Sequence, residues 1–332
     1  HGVAIIAAGG AEYRPREYLY GRDRRVMSAL ELEQAMDEGS EMVAGAKTVV
    51  MVQCVGSRDE QRPYCSRVCC SQAVKNALRL KELKPGLNIY VMYRDMRTYG
   101  FKEDYFHRAR TRGVMFVRCH RDHQPLVEAG PDALRVSFYD PILEQSLVLD
   151  ADLVVLAAGI SPPEDGDHLA RCFKVPRNED GFFLEAHMKL RPVDFTTDGV
   201  FLCGLAHGPK FLDETIAQAK AAAARAVTVL ARESLTAGGV TSVINPERCA
   251  GCRVCVGLCP YNAITFDQLQ GVARINEVIC KGCGVCTAAC PSRACTTRHF
   301  KDEHILAEIA ALLDDLNGGD FLDASGQSGS GV

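Results

Sequence analysis

The sequence predicts an α/β protein with a parallel sheet, followed by a small α+β domain near the C-terminus. Short apolar strands alternate with helical patterns between residues 47 and 160, which is the order that gives parallel βαβ units. Two cysteine runs of identical spacing then follow between residues 249 and 291. The chain has 332 residues, which is enough for two or three domains.

The α/β elements can be followed one by one from residue 47. The predicted order is a strand over 48–52, a turn at Gly56, a helix over 66–83, strands over 88–93 and 114–118, an antiparallel meander over 123–150 and a strand over 151–158. A parallel sheet interrupted by a meander and closed by a strand ending in Ala-Gly resembles the Rossmann-like pyridine-nucleotide domain of thioredoxin reductase-type flavoproteins.

The glycine fingerprint GxGxxG that should follow the first strand is missing. Cys54 stands at the end of that strand, and the following helix carries Cys65, Cys69 and Cys70 near its start. Cys65 and Cys69 share a helix face, and this fold binds its ligands at the carboxyl ends of strands. The positive end of the helix dipole would favour thiolates and a reduced cluster there. A redox disulfide between Cys69 and Cys70, or inert buried thiols, are the alternatives.

The two C-terminal runs have the spacing C-x2-C-x2-C-x3-C-P that binds a pair of cubane 4Fe-4S clusters. In such domains the fourth cysteine of each run ligates the other cluster. One cluster is therefore assigned to Cys249, Cys252, Cys255 and Cys290, and the other to Cys280, Cys283, Cys286 and Cys259. Structural zinc sites close with four ligands and do not need four cysteines per run followed by proline.

A second glycine-containing segment predicts a flavin site. Residues 198–204 form a short strand pattern, and a helix is predicted over 212–232. In flavoproteins the intervening turn and the helix N-terminus lie against the ribityl chain and the flavin ring. The candidate FAD contacts are Gly204, His207, Gly208 and Lys210, with solvated turn side chains as the alternative for His207 and Lys210. Leu205 stands where an acidic residue is usual, so ribityl contacts do not transfer directly.

The chain opens on an apolar strand pattern that ends in Gly9 and Gly10. Two glycines after a strand let the backbone pass close to a dinucleotide, so both are further candidate FAD contacts. No GxGxxG turn precedes them. We therefore expect an upstream segment or a separate polypeptide to complete the FAD domain.

These patterns predict five segments. They are a partial FAD-binding domain over 1–46, a Rossmann-like domain carrying a 4Fe-4S cluster over 47–160, a return to the FAD-binding domain over 161–237, a two-cluster ferredoxin domain over 238–300, and a C-terminal helix with a flexible tail over 301–332. In the helix over 212–232, we expect Ala217, Ala221 and Ala224 to pack against the sheet.

Composition narrows the class of protein. A net charge of −4 provides no basic surface for nucleic acid, and no run approaches the roughly 18 apolar residues that span a bilayer. At least half of the 16 cysteines have metal-ligand spacing, which predicts a reducing compartment and hence the cytoplasm. Four others, Cys119, Cys172, Cys203 and Cys295, have no partner spacing and are expected to be small buried hydrophobes.

Segments 53–58 and 64–70 together resemble the hallmark of the heterodisulfide reductase A-subunit family. Residues 93–100, residues 204–210 and the two-cluster region extend the resemblance over nearly the whole chain. The resemblance implies that Cys54, Cys65, Cys69 and Cys70 bind a third 4Fe-4S cluster beside FAD. It also implies an oxidoreductase subunit in which FAD receives two electrons and splits them between a thiol/disulfide or quinone branch and a low-potential ferredoxin branch.

The expected partners are the other subunits of a heterodisulfide reductase-like complex and a ferredoxin or similar redox protein. Two other functions stay open. One is an NAD(P)H-dependent flavin oxidoreductase of the glutamate synthase small subunit type, against which the missing GxGxxG turn argues. The other is a non-catalytic, polyferredoxin-like electron-transfer protein without flavin.

Overall fold

The computed structural model describes residues 2–234 and 240–318, with side chains through residue 313. The chain divides into two compact units, His1–Arg232 and Glu233–Val332. The predicted flexible tail at 325–331 and the predicted boundary between 237 and 238 lie outside the described residues.

The first unit contains most of the secondary structure. Its elements are, in chain order, β1 (Ala4–Ile6), β2 (Ala11–Glu12), β3 (Val26–Ser28), α1 (Ala29–Asp37), α2 (Glu41–Gly45), β4 (Thr48–Val55), α3 (Cys69–Leu83), β5 (Asn88–Tyr93), a 3-10 turn (Gly100–Lys102), α4 (Glu103–Thr111), β6 (Val114–Arg118), β7 (Leu126–Ala129), β8 (Leu134–Asp140), β9 (Gln145–Ala151), β10 (Leu153–Ala158), β11 (Ile160–Ser161), α5 (Gly166–Phe173), β12 (Val200–Leu202), a 3-10 turn (Gly204–Ala206) and α6 (Leu212–Leu230).

A parallel sheet forms the centre of this unit. In the described part of the chain its strand order is β3-β10-β4-β5-β6, with Val154 beside Val50 and Val50 beside Tyr90. Nearly every residue of β4 and β10 is buried, as expected for central strands of a parallel sheet covered on both faces. The strands β7, β8 and β9 form the predicted antiparallel meander. The predicted α/β class is therefore confirmed.

Strand β3 extends the sheet beyond the predicted start of the Rossmann-like domain. Val26–Ser28 pairs in parallel with β10, so the sheet begins well before residue 47. Ser28 also caps α1, because its Oγ accepts a hydrogen bond from the Glu31 amide at 3.3 Å, and Glu31 Oε2 accepts one from the Ser28 amide at 2.6 Å. The boundary at 46/47 is thus misplaced, while the remaining division into segments stays a prediction.

Two helix predictions also need correction. Helix α3 begins at Cys69 rather than at residue 66, because Arg67 has a left-handed backbone conformation (φ 61°) that a helix cannot contain. In α6 the buried alanines are Ala222 and Ala226, whereas Ala217 and Ala224 are exposed. The packed face is offset because Ala222 and Ala226 are the residues that contact the core around Phe201.

The second unit is a small α+β fold. Its elements are β13 (Ser242–Ile244), α7 (Val254–Leu258), β14 (Ile264–Asp267), β15 (Val272–Ile275), α8 (Val285–Ala288), β16 (Cys295–Thr297) and α9 (Asp302–Gly318). β13 pairs antiparallel with β16, and β14 with β15. None of the helices in the described part of the chain has the length and apolar composition needed to span a bilayer.

The packing of α1 yields a stability prediction. Leu32 is completely buried in the core between α1, α3 and the sheet, whereas Leu30 on the same helix is 51% exposed. Leu32→Ala should lower the free energy of unfolding of the first unit by about 2–5 kcal/mol, because it removes buried methyl groups and leaves a cavity. Leu30→Ala, the matched control, should change it by less than about 0.5 kcal/mol in chemical denaturation. Equal losses in both variants would contradict this packing.

Candidate functional site

The segment between β4 and α3 occupies the position of a phosphate-binding loop. Hydrogen bonds of its own side chains fix it to the end of β10. Tyr64 donates its hydroxyl to the Ile160 carbonyl at 2.9 Å, and the Ile160 amide donates to Ser66 Oγ at 2.8 Å. A Cβ at Gly159 would lie 2.6 Å from the Gly56 carbonyl oxygen, so the loop and the end of β10 are in close contact. The loop is therefore packed onto the sheet and does not form an open cradle for phosphate.

This segment brings together the first cysteine set (Cys54, Cys65, Cys69 and Cys70). All four are free thiols, and all but Cys65 are buried. Burial raises the pKa of the Cys69 thiol, and the nearby sulfurs of the other three cysteines raise it further. Burial likewise raises the pKa of Cys70 to about 11. The four sulfurs thus influence one another in a largely buried region in which thiolates are unfavourable without a cationic partner, and metal coordination deprotonates a thiol outright.

Polar groups next to these cysteines support the fit of a bound group. The guanidinium groups of Arg58 and Arg94 lower the pKa of Cys54, although burial keeps it above its ordinary value. The buried side-chain amide of Gln53 and the Arg58 Nη1 atom have no hydrogen-bond partner in the described part of the chain. Buried donors are nearly always satisfied, and a cluster with sulfide and thiolate acceptors would offer such partners. The donor set therefore fits a 4Fe-4S cluster.

Arg67 connects the first cysteine set to the Gly204 turn (residues 204–210). Its Nη1 donates to the Pro209 carbonyl at 3.2 Å, and its Nη2 donates to Glu214 Oε1 at 2.7 Å. Its backbone amide lies 3.3 Å from Cys65 Sγ. One residue thus contacts both a cysteine of the set and the turn predicted to hold the flavin.

Within the Gly204 turn, the polar side chains bind the turn itself. Lys210 Nζ donates to the carbonyls of Gly204 at 2.6 Å and Gly208 at 3.1 Å. The imidazole of His207 lies between Glu185 Oε2 and Gln218 Nε2, each at 2.8 Å. Both residues are half-buried, so neither is a freely solvated turn side chain. Burial lowers the pKa of His207 and lowers that of Lys210 to about 8.

Gly9 and Gly10 have different structural reasons for lacking a side chain. Gly9 has φ 76°, and nothing in the described part of the chain lies within 4 Å of where its Cβ would be. A Cβ at Gly10 would lie 3.0 Å from both Ile160 Cγ2 and the Ser161 carbonyl oxygen. Gly10 is thus required by packing against β11, and contact of either glycine with FAD stays a prediction.

In the second unit, the eight run cysteines line two separate cavities. One cavity is lined by Cys249, Cys252, Cys255 and Cys290, and the other by Cys259, Cys280, Cys283 and Cys286. These are the two groups expected when each run lends its fourth cysteine to the other cluster. We searched the described side chains for groups of three or more His, Cys, Asp or Glu that could hold a single metal ion. These residues contain no such group. Four sulfurs around a cavity fit a cubane, whose cysteines bind different irons, better than one zinc ion.

The sequence patterns do not reveal the role of a ninth cysteine in this unit. Cys295, expected to be an unpartnered buried thiol, has its Sγ 3.5 Å from Cys286 Sγ and also lines the cavity of Cys249. Burial raises its pKa to about 12. No motif spacing indicates this contact, because β16 brings Cys295 back into the core only after the second run has ended.

The three other cysteines without partner spacing lie in the first unit. Cys119 and Cys203 are buried, as expected for small apolar side chains. Cys172 is exposed, because it lies in α5 at a position that the core does not cover, so the expectation was wrong for this residue.

Comparison with known proteins agrees with this geometry. Residues 248–294 match the 4Fe-4S dicluster domain family, which confirms a two-cluster domain. Over 331 residues the chain is 41% identical to the A subunit of the H(2):CoB-CoM heterodisulfide,ferredoxin reductase of Methanothermobacter marburgensis, covering 95% of this chain and 50% of that protein. It is 36% identical to the A subunit of the Ferredoxin:CoB-CoM heterodisulfide reductase of Methanosarcina mazei, over 93% and 40% respectively.

The chain belongs to the heterodisulfide reductase A-subunit family. It matches the C-terminal half of these relatives and spans about half their length. Among solved structures it is similar to thioredoxin reductase of Lactococcus lactis, with 17% identity and a TM-score of 0.46 over 69% of this chain and 67% of that one. As a member of this family, the chain combines a dicluster domain with an α/β unit that holds a further cysteine set.

The lowered pKa of Lys210 predicts a pH dependence of stability. Its folded-state pKa of about 8 lies below the unfolded value of 10.5, so the unfolded chain binds the proton more tightly. The free energy of unfolding should therefore rise as pH increases from about 8 to about 10.5, and this gain should be absent below that window. Denaturation at several pH values should show a smaller rise for Lys210→Met. Lys220→Met, at an exposed position on α6, is the control and should behave as the parent. If the pH profile of Lys210→Met matched that of the parent, the folded-state pKa of Lys210 would not be lowered.

Proposed function

We propose that this chain is the iron-sulfur flavoprotein portion of a heterodisulfide reductase-like complex, in which it relays electrons between FAD and three 4Fe-4S clusters. The observation that carries the proposal is the Arg67 link between the first cysteine set and the Gly204 turn. A cluster held next to a flavin can exchange electrons with it directly. The family membership and the two-cluster domain support the rest.

FAD exchanges electrons in pairs and 4Fe-4S clusters exchange them singly, which is the chemistry these groups supply when bound. The residues have separate tasks. The thiolates of the first cysteine set hold iron, while Arg58 and Arg94 lie beside Cys54 and offset negative charge there. Gly204, His207, Gly208 and Lys210 shape the turn beside the flavin, with Gly9 and Gly10 on the neighbouring segment. Lys210 can gain or lose a proton at Nζ near neutral pH, because its pKa is about 8.

The second unit is proposed as the surface at which electrons enter or leave. Cys252 and Cys283, one from each run, are exposed, so each cavity has a ligand near solvent. A partner protein that docks there would come close to both clusters. The partners are then a ferredoxin or similar redox protein and the other subunits of the complex. At least half of the 16 cysteines have metal-ligand spacing, which supports a reducing, cytoplasmic location.

The activity of the complex is proposed from the names of the relatives. They act on CoB-CoM heterodisulfide and ferredoxin. For this chain we infer the corresponding chemistry, in which electron pairs from FAD divide between a disulfide branch and a ferredoxin branch.

Metal and flavin analysis tests the cofactor content. The purified chain, reconstituted anaerobically, should contain about twelve irons, and the assembled complex should release FAD on denaturation. Cys69→Ala should reduce the iron to about eight, because one cluster loses a ligand. Cys119→Ala removes a buried thiol elsewhere in the first unit and should leave the content unchanged. About eight irons in the parent would show that the first cysteine set holds no cluster.

The order of the electron path gives a second test. In the assembled complex, Cys69→Ala should block transfer from flavin to the dicluster domain while both of that domain's clusters still assemble. Cys255→Ala should spare flavin reduction but end reduction of an acceptor that docks on the dicluster domain. Stopped-flow absorbance separates the two steps. If the Cys255→Ala variant reduced the acceptor at the parent rate, electrons would leave by another route. If NADH alone bleached the flavin, the chain would instead be an NAD(P)H-dependent reductase.

A further inference from the structure

Cys295 lies at the centre of the second unit. It is 3% exposed and begins β16, where it pairs with Ile244 of β13. The core of the unit consists of Cys295, Cys286, Ile264 and Ala273. Cys295 Sγ is 3.5 Å from Cys286 Sγ, within hydrogen-bond distance for sulfur. Cys295 also lines the cavity of the other four run cysteines, so it stands between the two cavities.

A chain of buried and half-buried polar side chains leads to this thiol. Thr287 Oγ1 lies 3.7 Å from Cys295 Sγ and 3.1 Å from Thr297 Oγ1. Thr297 Oγ1 in turn lies 3.4 Å from Ser242 Oγ. The Ser242 backbone amide donates to Cys280 Sγ at 3.4 Å. The chain of contacts therefore runs between two cysteines of the same cavity, Cys286 and Cys280.

We propose that the Cys295 thiol donates a hydrogen bond to the Cys286 sulfur and thereby raises the reduction potential of the cluster held by Cys259, Cys280, Cys283 and Cys286. Thr287 is a positioning residue, because its hydroxyl lies 3.7 Å from Cys295 Sγ and can donate to it, which leaves the thiol proton directed at Cys286. The inference rests on the proposed function, since it requires a cluster on Cys286.

The direction of the effect follows from charge. Reduction adds one electron, and part of that negative charge resides on the ligand sulfurs. A hydrogen-bond donor stabilises the more negative, reduced state more than the oxidised state, so the potential rises. The proton stays on Cys295 throughout, and only the cluster gains the electron. The site is also well suited to this effect because a buried donor acts in a low local dielectric.

Backbone amides already donate hydrogen bonds to two of the other sulfurs of this cavity. Cys280 accepts from the amide of Gly282 at 3.4 Å in addition to that of Ser242, and Cys259 accepts from the amide of Ala263 at 3.3 Å. Substitution cannot remove those donors without changing the backbone. The side-chain donor at Cys295 can be removed cleanly, which makes the contribution measurable.

The experiment is an EPR-monitored redox titration of the full chain carrying Cys295→Ala, Cys295→Ser or the control Cys119→Ala, after iron and sulfide analysis of each protein. The analysis comes first because it separates the two hypotheses: a parent without the two clusters of the second unit would sink the proposed function itself. With full cluster content, Cys295→Ala should shift the midpoint potential of one cluster to a more negative value and leave the other nearly unchanged. Cys295→Ser keeps a donor and should titrate close to the parent, as should Cys119→Ala.

Three results would overturn the proposal. Unchanged potentials in Cys295→Ala would show that the thiol does not affect the cluster. Equal negative shifts in Cys295→Ala and Cys295→Ser would assign the effect to altered packing or water access rather than to the donor. Loss of about four irons in Cys295→Ala alone would make Cys295 a ligand instead of a donor.

Discussion

The parallel pairing of β4 with β10 is the constraint on which the first unit depends. At one end, the Asp152 carboxylate accepts hydrogen bonds from the amides of Lys47 and Thr48 at 2.7 and 2.8 Å, so it fixes where β4 begins. At the other end, the Gly159 amide donates to the Val55 carbonyl at 2.8 Å. Between these ends the register shifts once, near the end of the ladder, and Cys54 there has φ 61°. The irregularity re-aims a side chain at the carboxyl end of the strand, which is a common use of a bulge.

The cluster proposed for the first cysteine set would occupy the site where this fold ordinarily binds its ligand. In a nucleotide-binding unit, the strand end and the following helix N-terminus receive an anionic phosphate. Here the same helix, α3, begins with Cys69 and Cys70. In the proposed cluster, thiolates bound to iron would also be anionic, so the positive end of the helix dipole would again face negative charge. The glycines of a phosphate loop become unnecessary, because Ser57, Tyr64 and Ser66 close the loop through their own hydrogen bonds.

Much of this arrangement could be predicted because it is local. Apolar runs over β4, β5, β6 and β10 have strand length and composition, and the cysteine runs have a spacing with one chemical use. Strand β3 was missed because three residues are too few for a periodic pattern, although the capping pair Ser28 and Glu31 marks the helix that follows. The Arg67 contacts with Glu214 and Pro209 join segments more than a hundred residues apart, and nothing near Arg67 in the sequence indicates them. Cys295 was missed for a different reason, because no motif spacing connects it with Cys286, although only nine residues separate the two.

In the second unit, the hydrophobic core and the proposed metal sites consist of the same residues. The buried centre is Ile264, Ala273, Cys286 and Cys295, and further run cysteines pack around it. A small domain buries a smaller fraction of its surface than a large one and is correspondingly less stable. Cluster binding would then add to the folding free energy, as metal binding does in other small metal-binding domains. The Cys286–Cys295 contact therefore has two effects at the same place. It packs the core, and it changes the electrostatic surroundings of a proposed cluster ligand. A substitution that removes the donor must therefore be compared with one that keeps a donor at similar volume, so that the second effect can be distinguished from the first.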